Sequence, residues 1–308
     1  MHTLAGFPPE GWEAELLASH APGGLWAKWR AYRRARRELK RRCSDPALRP
    51  DVVHVHVAAD WSWRRKARLI DLVRHHQRPV VVHLHSGQFD AWLDRGGVRR
   101  QKHVRSRLEA NRVCGVVLSS AWQKRLEPMV GPLEVVHNPL PRLVPASTEE
   151  RDRHHLLLLG RNDPVKGHAF AVKLAETLRS SFPDLRLTMT GVNTSPHGWV
   201  DARGWISEEA KAALLAQATV LLVPSAFEGQ PVVALEALAS GLPVCVSDRV
   251  VGLPDAVEKA AFNDLEAWVE AVTSLLEAPP SPAVLMDSVV PYSVDEIQRG
   301  WKTLYESL

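Results

Sequence analysis

Residues 221–248 read LLVPSAFEGQPVVALEALASGLPVCVSD, and the way this stretch punctuates itself decides the fold. The apolar run from Ala218 to Val223 predicts a buried strand that breaks at Pro224-Ser225. Pro231 suits a first helical turn, where a missing N–H costs nothing. A helix is predicted over Val232–Ser240, with Gly241 in the usual place beyond its C-cap. Leu242–Val246 then returns as a second apolar strand. Strand, loop, helix and strand in this order form a parallel crossover.

That helix is apolar almost all round, which predicts burial, and Glu236 is the exception. A carboxylate placed there loses several kcal/mol of solvation unless something compensates it. Either the hydroxyls of a ligand meet it, or a nearby arginine or the backbone holds it. Glu228 lies in the loop at the mouth of the same helix. Two carboxylates cannot hold a phosphate, but they accept hydrogen bonds from hydroxyls while the first-turn N–H groups face an anion. A ligand carrying both groups, such as a nucleotide sugar, fits that division.

Outward from this unit the pattern repeats. Before it come strand His155–Gly160, helix His168–Ser181, strand Leu185–Thr190 and helix Glu208–Gln217; after it come helices Leu265–Glu277 and Val294–Leu308. The first half alternates in the same way: strands Asp51–Ala58, Pro79–His85, Val113–Ser119 and Leu133–His137, with helices Trp63–His76, Val98–Asn111 and Trp122–Met129 between them. Two-sided apolar strands alternating with helices indicate doubly wound parallel sheets. Such sheets bind ligands at the carboxyl ends of their strands, so both halves are expected to point residues into one central cleft. The proline-rich, charged stretch from Asn138 to Asp152 reads as a linker, giving domains of residues 1–147 and 148–292 and a final helix, 293–308, expected to pack back on the first domain.

The chain is long enough for two domains of about 150 residues each. No apolar run approaches the roughly 18 residues of a membrane span, and the acids and prolines of the N-terminus do not suit a signal peptide. Three scattered cysteines, Cys43, Cys114 and Cys245, fit no metal spacing and suggest a reducing cytoplasm. Residues 1–150 hold 26 Lys+Arg against 15 Asp+Glu, or +11; residues 151–308 hold 13 against 20, or −7. The basic half is therefore expected to face an anionic partner. Its helix Leu25–Arg42 sets a stripe of Leu25, Trp29, Tyr32 and Leu39 among nine cations, which suits either an anionic membrane surface or a solvated face.

The loop Gly160-Arg161-Asn162-Asp163-Pro164-Val165-Lys166-Gly167 follows the first strand of the second half. Arg161 as a planar fork and Lys166 as a point charge, beside a helix N-terminus, suit a diphosphate. GRNDPVKG, LTMTG and PSAFEGQPVVALEALASGLPV together resemble the donor-binding half of family 4 retaining glycosyltransferases, whose fold is GT-B. DVVHVHVAADWSWRRK, VVVHLHSGQFDAWL and LSSAWQKRL with VVHNPL are similar to bacterial members that build exopolysaccharide or other envelope glycans.

The resemblance implies a transferase acting with retention of configuration. Arg161 and Lys166 would bind the donor diphosphate, a UDP or GDP sugar, and stabilise the departing nucleotide. Glu236 would hold the ribose hydroxyls and Glu228 the transferred sugar. Backbone N–H groups of Gly229, Gln230 and Val232 would add to the phosphate site, Ile206 would lie near the base, and His85 near the sugar. Gln230 stands where an aromatic or aliphatic residue is commoner. By their own place just past a strand end, Arg64, Arg65 and Lys66 either meet a glycan or lipid-diphosphate acceptor, at the cytoplasmic side of the membrane, or form a solvated helix start.

No cofactor and no Asp-x-Asp metal motif are expected, so transfer should be independent of metal. The period-two pairs His54/His56 and His83/His85 share a strand face and raise a zinc-dependent hydrolase as a competing chemistry. Nucleic-acid binding lacks a stacking platform. The first firm strand begins near Asp51, so the first domain reads as lacking its opening strand–helix unit, and a non-catalytic nucleotide-sugar-binding homologue is the alternative function.

Overall fold

A computed structural model describes residues 2–140 and 151–308. It divides into two units, Met1–Pro139 with Val294–Leu308, and Leu140–Ser293.

In the first unit four parallel strands, β1 (Val53–Val57), β2 (Val80–Leu84), β3 (Val113–Val117) and β4 (Glu134–Val135), pair in sequence order. Their β-branched runs suit a pleated, buried surface, and β2 is buried at every position. Helices Trp61–His75, Phe89–Leu108 and Ser120–Val130 make the crossovers. The second of these begins nine residues before the expected Val98. Gly96-Gly97 reads as a break in sequence, but only Gly97 leaves helical geometry, at φ 58°, and the helix kinks and continues. No strand precedes β1 among the described residues, and β1 forms a sheet edge.

Helix Leu25–Ser44 packs through Ala31, Ala35, Leu39 and Cys43. Of the predicted apolar stripe only Leu39 is buried; Leu25 and Trp29 are exposed and Tyr32 is half-buried. Spacing of four with small residues allows closer approach than the bulkier stripe would. The helix Val294–Glu306 places Ile297 and Trp301 in a core with Val81, Val116 and Val136.

The second unit holds six parallel strands: β5 (His155–Leu158), β6 (Arg186–Met189), β7 (Val200–Ala202), β8 (Val220–Val223), β9 (Val244–Ser247) and β10 (Glu258–Ala260). Their order is β10-β9-β8-β5-β6-β7, so the chain winds outward from β5 through β7 and then returns to lay β8 on the other side of β5. The β5/β8 junction is the switch point of the sheet. Strand alternation sorts the core: Leu157, Leu221, Val223, Val244 and Val246 face helix Val232–Ala239, while Leu156, Leu158, Val220, Leu222 and Cys245 share the other core with Trp268 and Val272. The short strands β7 and β10, at the two edges, escape sequence detection because exposed residues interrupt their apolar pattern. Pro231 is the N-cap of its helix rather than a first-turn residue.

Residues 141–150 of the expected linker lie outside the described residues. Its last two members belong to the second unit. The Asp152 N–H donates to Gln217 O at 2.9 Å. The Arg151 guanidinium donates to Leu215 O at 2.7 Å, Ala218 O at 2.9 Å and Ser240 O at 2.5 Å. It thus caps the carboxyl ends of helices Glu208–Gln217 and Val232–Ala239, where orphan carbonyls and the helix dipole favour a cation.

Candidate functional site

The loops leaving β5 and β8 meet at the switch point, where Ala226 N–H donates to Val165 O at 2.9 Å. Asp163 caps the 3₁₀ turn Pro164–Lys166 by accepting from Val165 N–H at 3.1 Å. Gly167 follows in the left-handed region at φ 75°, and a Cβ there would stand 2.9 Å from Pro224 O. Only glycine permits this approach of the two loops. Gly191, at φ 82°, is under the same constraint: a Cβ would run into the backbone of the Gly160 loop, 2.6 Å from Asn162 N. Thr190 Oγ1 accepts from Gly160 N–H at 2.9 Å, and His168 Nε2 donates to Thr190 O at 2.9 Å. The GRNDPVKG loop is therefore clamped from both sides.

On this frame Lys166 Nζ pairs with Glu228 Oε1, and Ser225 Oγ donates to the same carboxylate oxygen at 2.9 Å. Arg161 lies exposed on the loop. Glu236 is half-buried, its side chain 12% exposed, and its Oε1 accepts from Lys211 Nζ at 2.8 Å. Lys211 reaches Glu208 as well, at 2.7 Å. Where ligand hydroxyls, an arginine or the backbone were expected to compensate Glu236, a lysine does so within the protein. Only Oε1 is engaged; Oε2 makes no protein hydrogen bond among the described residues. Burial raises the Glu236 carboxyl above the ordinary glutamate range, and Lys211 offsets part of the rise. Burial pulls the Lys211 ammonium down, and its bonds to Glu208 and Glu236 more than reverse this.

Gln230 is buried, and its Nε2 donates to Gly252 O at 2.8 Å, so its side chain braces the neighbouring loop. Gly229 is half-buried in the same loop, and Val232 opens the helix. Ile206 packs on the core beside Leu159 and Val233, while Trp205 next to it is 82% exposed. Sequence reasoning missed Lys211, Ser225 and Thr190. Lys211 stands three residues from Glu208, the spacing of an ordinary surface pair on a helix, and nothing local shows that it also reaches Glu236.

In the first unit His54 and His56 on β1 and His83 and His85 at β2 form one imidazole cluster. His54 Nε2 lies 3.1 Å from His83 Nδ1, His56 Nδ1 2.7 Å from His85 Nε2, and His54 Nδ1 2.7 Å from the Tyr305 hydroxyl. Burial holds all four below the ordinary histidine range, His54 to about 3, His56 to about 2, His85 to about 4 and the fully buried His83 well below it, and neighbouring rings add to the lowering of His54, His56 and His83. They are neutral at physiological pH.

The acceptor-side trio begins one turn into helix Trp61–His75, which starts two residues before the predicted Trp63. Arg64 lies exposed over the Trp61 ring at 4.8 Å, whereas Arg65 and Lys66 are half-buried. Burial, then Arg65, lowers Lys66 to about 8. Arg64 is thus the most available of the three for an anion.

Residues 153–278 match the family described as Glycosyl transferases group 1. The chain is 30% identical over 275 residues to the glycogen synthase of Mycobacterium tuberculosis, covering 80% of this chain and 65% of that protein's length. Its fold is similar to that of sucrose-phosphate synthase from Thermosynechococcus elongatus, with a TM-score of 0.71 at 17% identity, over 94% of this chain and 82% of that one. It is also similar to the pneumococcal O-GlcNAc transferase GtfA in complex with UDP and GlcNAc, with a TM-score of 0.62 at 14% identity, over 88% and 59% of the two chains. These two solved structures support the fold alone. With its 4- and 6-stranded parallel sheets in two α/β units, the chain has the GT-B architecture, and residues 153–278 of its second unit are a group 1 glycosyltransferase domain.

Proposed function

We propose that this protein transfers a glycosyl group, with retention of configuration, from a nucleoside-diphosphate sugar to a glycan or lipid-linked acceptor of the cell envelope. The observation that carries the reading is the Lys166–Glu228 pair at the β5/β8 switch point. A cation for phosphate and a carboxylate for sugar hydroxyls stand side by side there. That is what the junction between sugar and diphosphate requires at the bond to be broken. As that anomeric C–O bond cleaves, negative charge grows on the leaving diphosphate, and Lys166 with the exposed Arg161 neutralises it. The amides of Gly229, Gln230 and Val232 add to the phosphate site at a helix N-terminus.

Glu236, one helix turn further in, accepts the ribose hydroxyls through Oε2 while Lys211 fixes Oε1. Ile206 borders the base. UDP is the first donor nucleotide to test, since a structural neighbour binds it. Two cations perform the charge neutralisation that a divalent ion performs elsewhere, so neither Mg²⁺ nor Mn²⁺ stimulates transfer.

The first unit is proposed to lie on an anionic membrane surface. Leu25, Trp26 and Trp29 are 85%, 74% and 46% exposed at one end of helix Leu25–Ser44. Arg33, Arg36, Arg37 and Arg68 line a hollow alongside. Aromatics beside cations suit an anionic interface, although no helix among the described residues is long and apolar enough to cross a membrane.

The experiment is a thermal-shift and calorimetric series of UDP and GDP sugars against the wild-type chain and Glu236→Ala. At about 100 times its Kd a true donor raises stability by roughly 2.7 kcal/mol, and the shift collapses in the variant. No shift with any nucleotide sugar overturns the reading.

A further inference from the structure

We propose that His54, His56 and His83 form a binding site for a divalent transition-metal ion of the zinc class inside the first unit, tying β1, β2 and the last helix together. Each of the three offers a ring nitrogen within 4.8 Å of those of the other two. The His54 Nε2 to His83 Nδ1 separation of 3.1 Å is close to the spacing of about 3.3 Å between two ligands of a tetrahedral zinc with Zn–N near 2.0–2.1 Å. Imidazole nitrogens suit zinc and its neighbours rather than calcium or magnesium.

Hydrogen-bond accounting points the same way. Two neutral imidazoles sharing one hydrogen bond leave their outer nitrogens to find partners elsewhere. His54 does so, through the Tyr305 hydroxyl. His83 does not: it is fully buried and its Nε2 has no partner among the described residues. A buried nitrogen left bare costs stability. A cation bound between His54 Nε2 and His83 Nδ1 replaces their one shared hydrogen bond with a ligand bond from each ring, while His83 Nε2 stays without a protein partner among the described residues. Ligating histidines usually have their second nitrogen held by an outer group that fixes the ring. Tyr305 does this for His54 and His85 Nε2 for His56.

The site would brace the fold and take no part in transfer, since the donor residues of the second unit need no metal. Its test uses neither donor nor acceptor, so it fails or succeeds independently of the proposed transfer. Untagged full-length protein, stripped with chelator, is titrated with Co²⁺ and then with Zn²⁺. The expected result is one equivalent of Co²⁺ giving the visible bands of a four-coordinate site of three ring nitrogens and one water, displaced by Zn²⁺. Tyr305→Phe, which keeps the ring and removes the outer hydrogen bond, should weaken binding 10- to 100-fold. His56→Asn should abolish the bands. Should His56→Asn fail to fold, the wild-type and Tyr305→Phe titrations still decide the matter. Less than stoichiometric binding, six-coordinate spectra, or affinity unchanged in both Tyr305→Phe and His56→Asn overturns the site.

Discussion

The two units bury polar chemistry by opposite means. In the second, half-buried carboxylates are each paired with a lysine: Glu228 with Lys166, Glu236 with Lys211. In the first, four histidines are crowded along β1 and β2, and burial keeps them uncharged. Charge pairing suits a site that must exchange its internal partners for those of a charged ligand. Neutral crowding suits a site whose lone pairs are already stripped of protons. The same architecture, parallel strands with helical crossovers, thus supports two unlike polar environments, and the residues at the strand ends make the difference.

The comparison breaks most sharply at Lys166. Replacing it with Ala should lower kcat for glycosyl transfer by about 10²–10³, the usual loss for one preorganised group facing developing charge. Arg161→Ala should follow in the same direction. Single-turnover kinetics with a UDP sugar measures both, and full activity in Lys166→Ala would remove the central role of the pair. His85→Ala should reduce turnover more than donor affinity, read by comparing rates with calorimetric Kd.

Next in size is Lys211→Met, which leaves Glu236 without its counter-charge. A partly exposed pair of this kind should cost about 2–3 kcal/mol at neutral pH, less than a fully buried one. The loss should depend on pH. With its folded pKa raised further above the unfolded value, the carboxyl binds more protons folded than unfolded. Stability is then greatest near and below pH 4.5 and falls as pH rises through that window. Denaturant melts of variant and wild type from pH 4.5 to 8 measure the difference, and parallel curves would show that Lys211 does not govern Glu236.

The smallest expected effect is at the surface of the first unit. Trp26→Ser with Trp29→Ser should reduce binding to vesicles containing anionic lipid several-fold and leave binding of soluble donor unchanged. Sedimentation with liposomes at two salt concentrations reads it. Equal binding by the variant would restore these residues to an ordinary solvated face.

Much of this was legible in residue order. Two-sided apolar runs marked the central strands, and Pro224, Pro231, Gly167 and Gly241 punctuated them. Errors came where a local signal was overridden. The helix expected to start at Val98 starts at Phe89 and continues through a kink at Gly97. Arg151 looked like part of a linker, yet it caps two helix ends from positions 64 to 89 residues away in sequence.

By itself the sequence determined that two parallel α/β units would form, and that acids and cations would gather where strands give way to helices. Periodicity and breakers are local properties, written residue by residue. Only the tertiary structure decided that Lys211 compensates Glu236, that Lys166 leans on Glu228, and that four histidines share one pocket with Tyr305. Those partners lie 25, 62 and 251 residues apart. A pairing across such separations has no local signature, because it exists only once the strands have found their order.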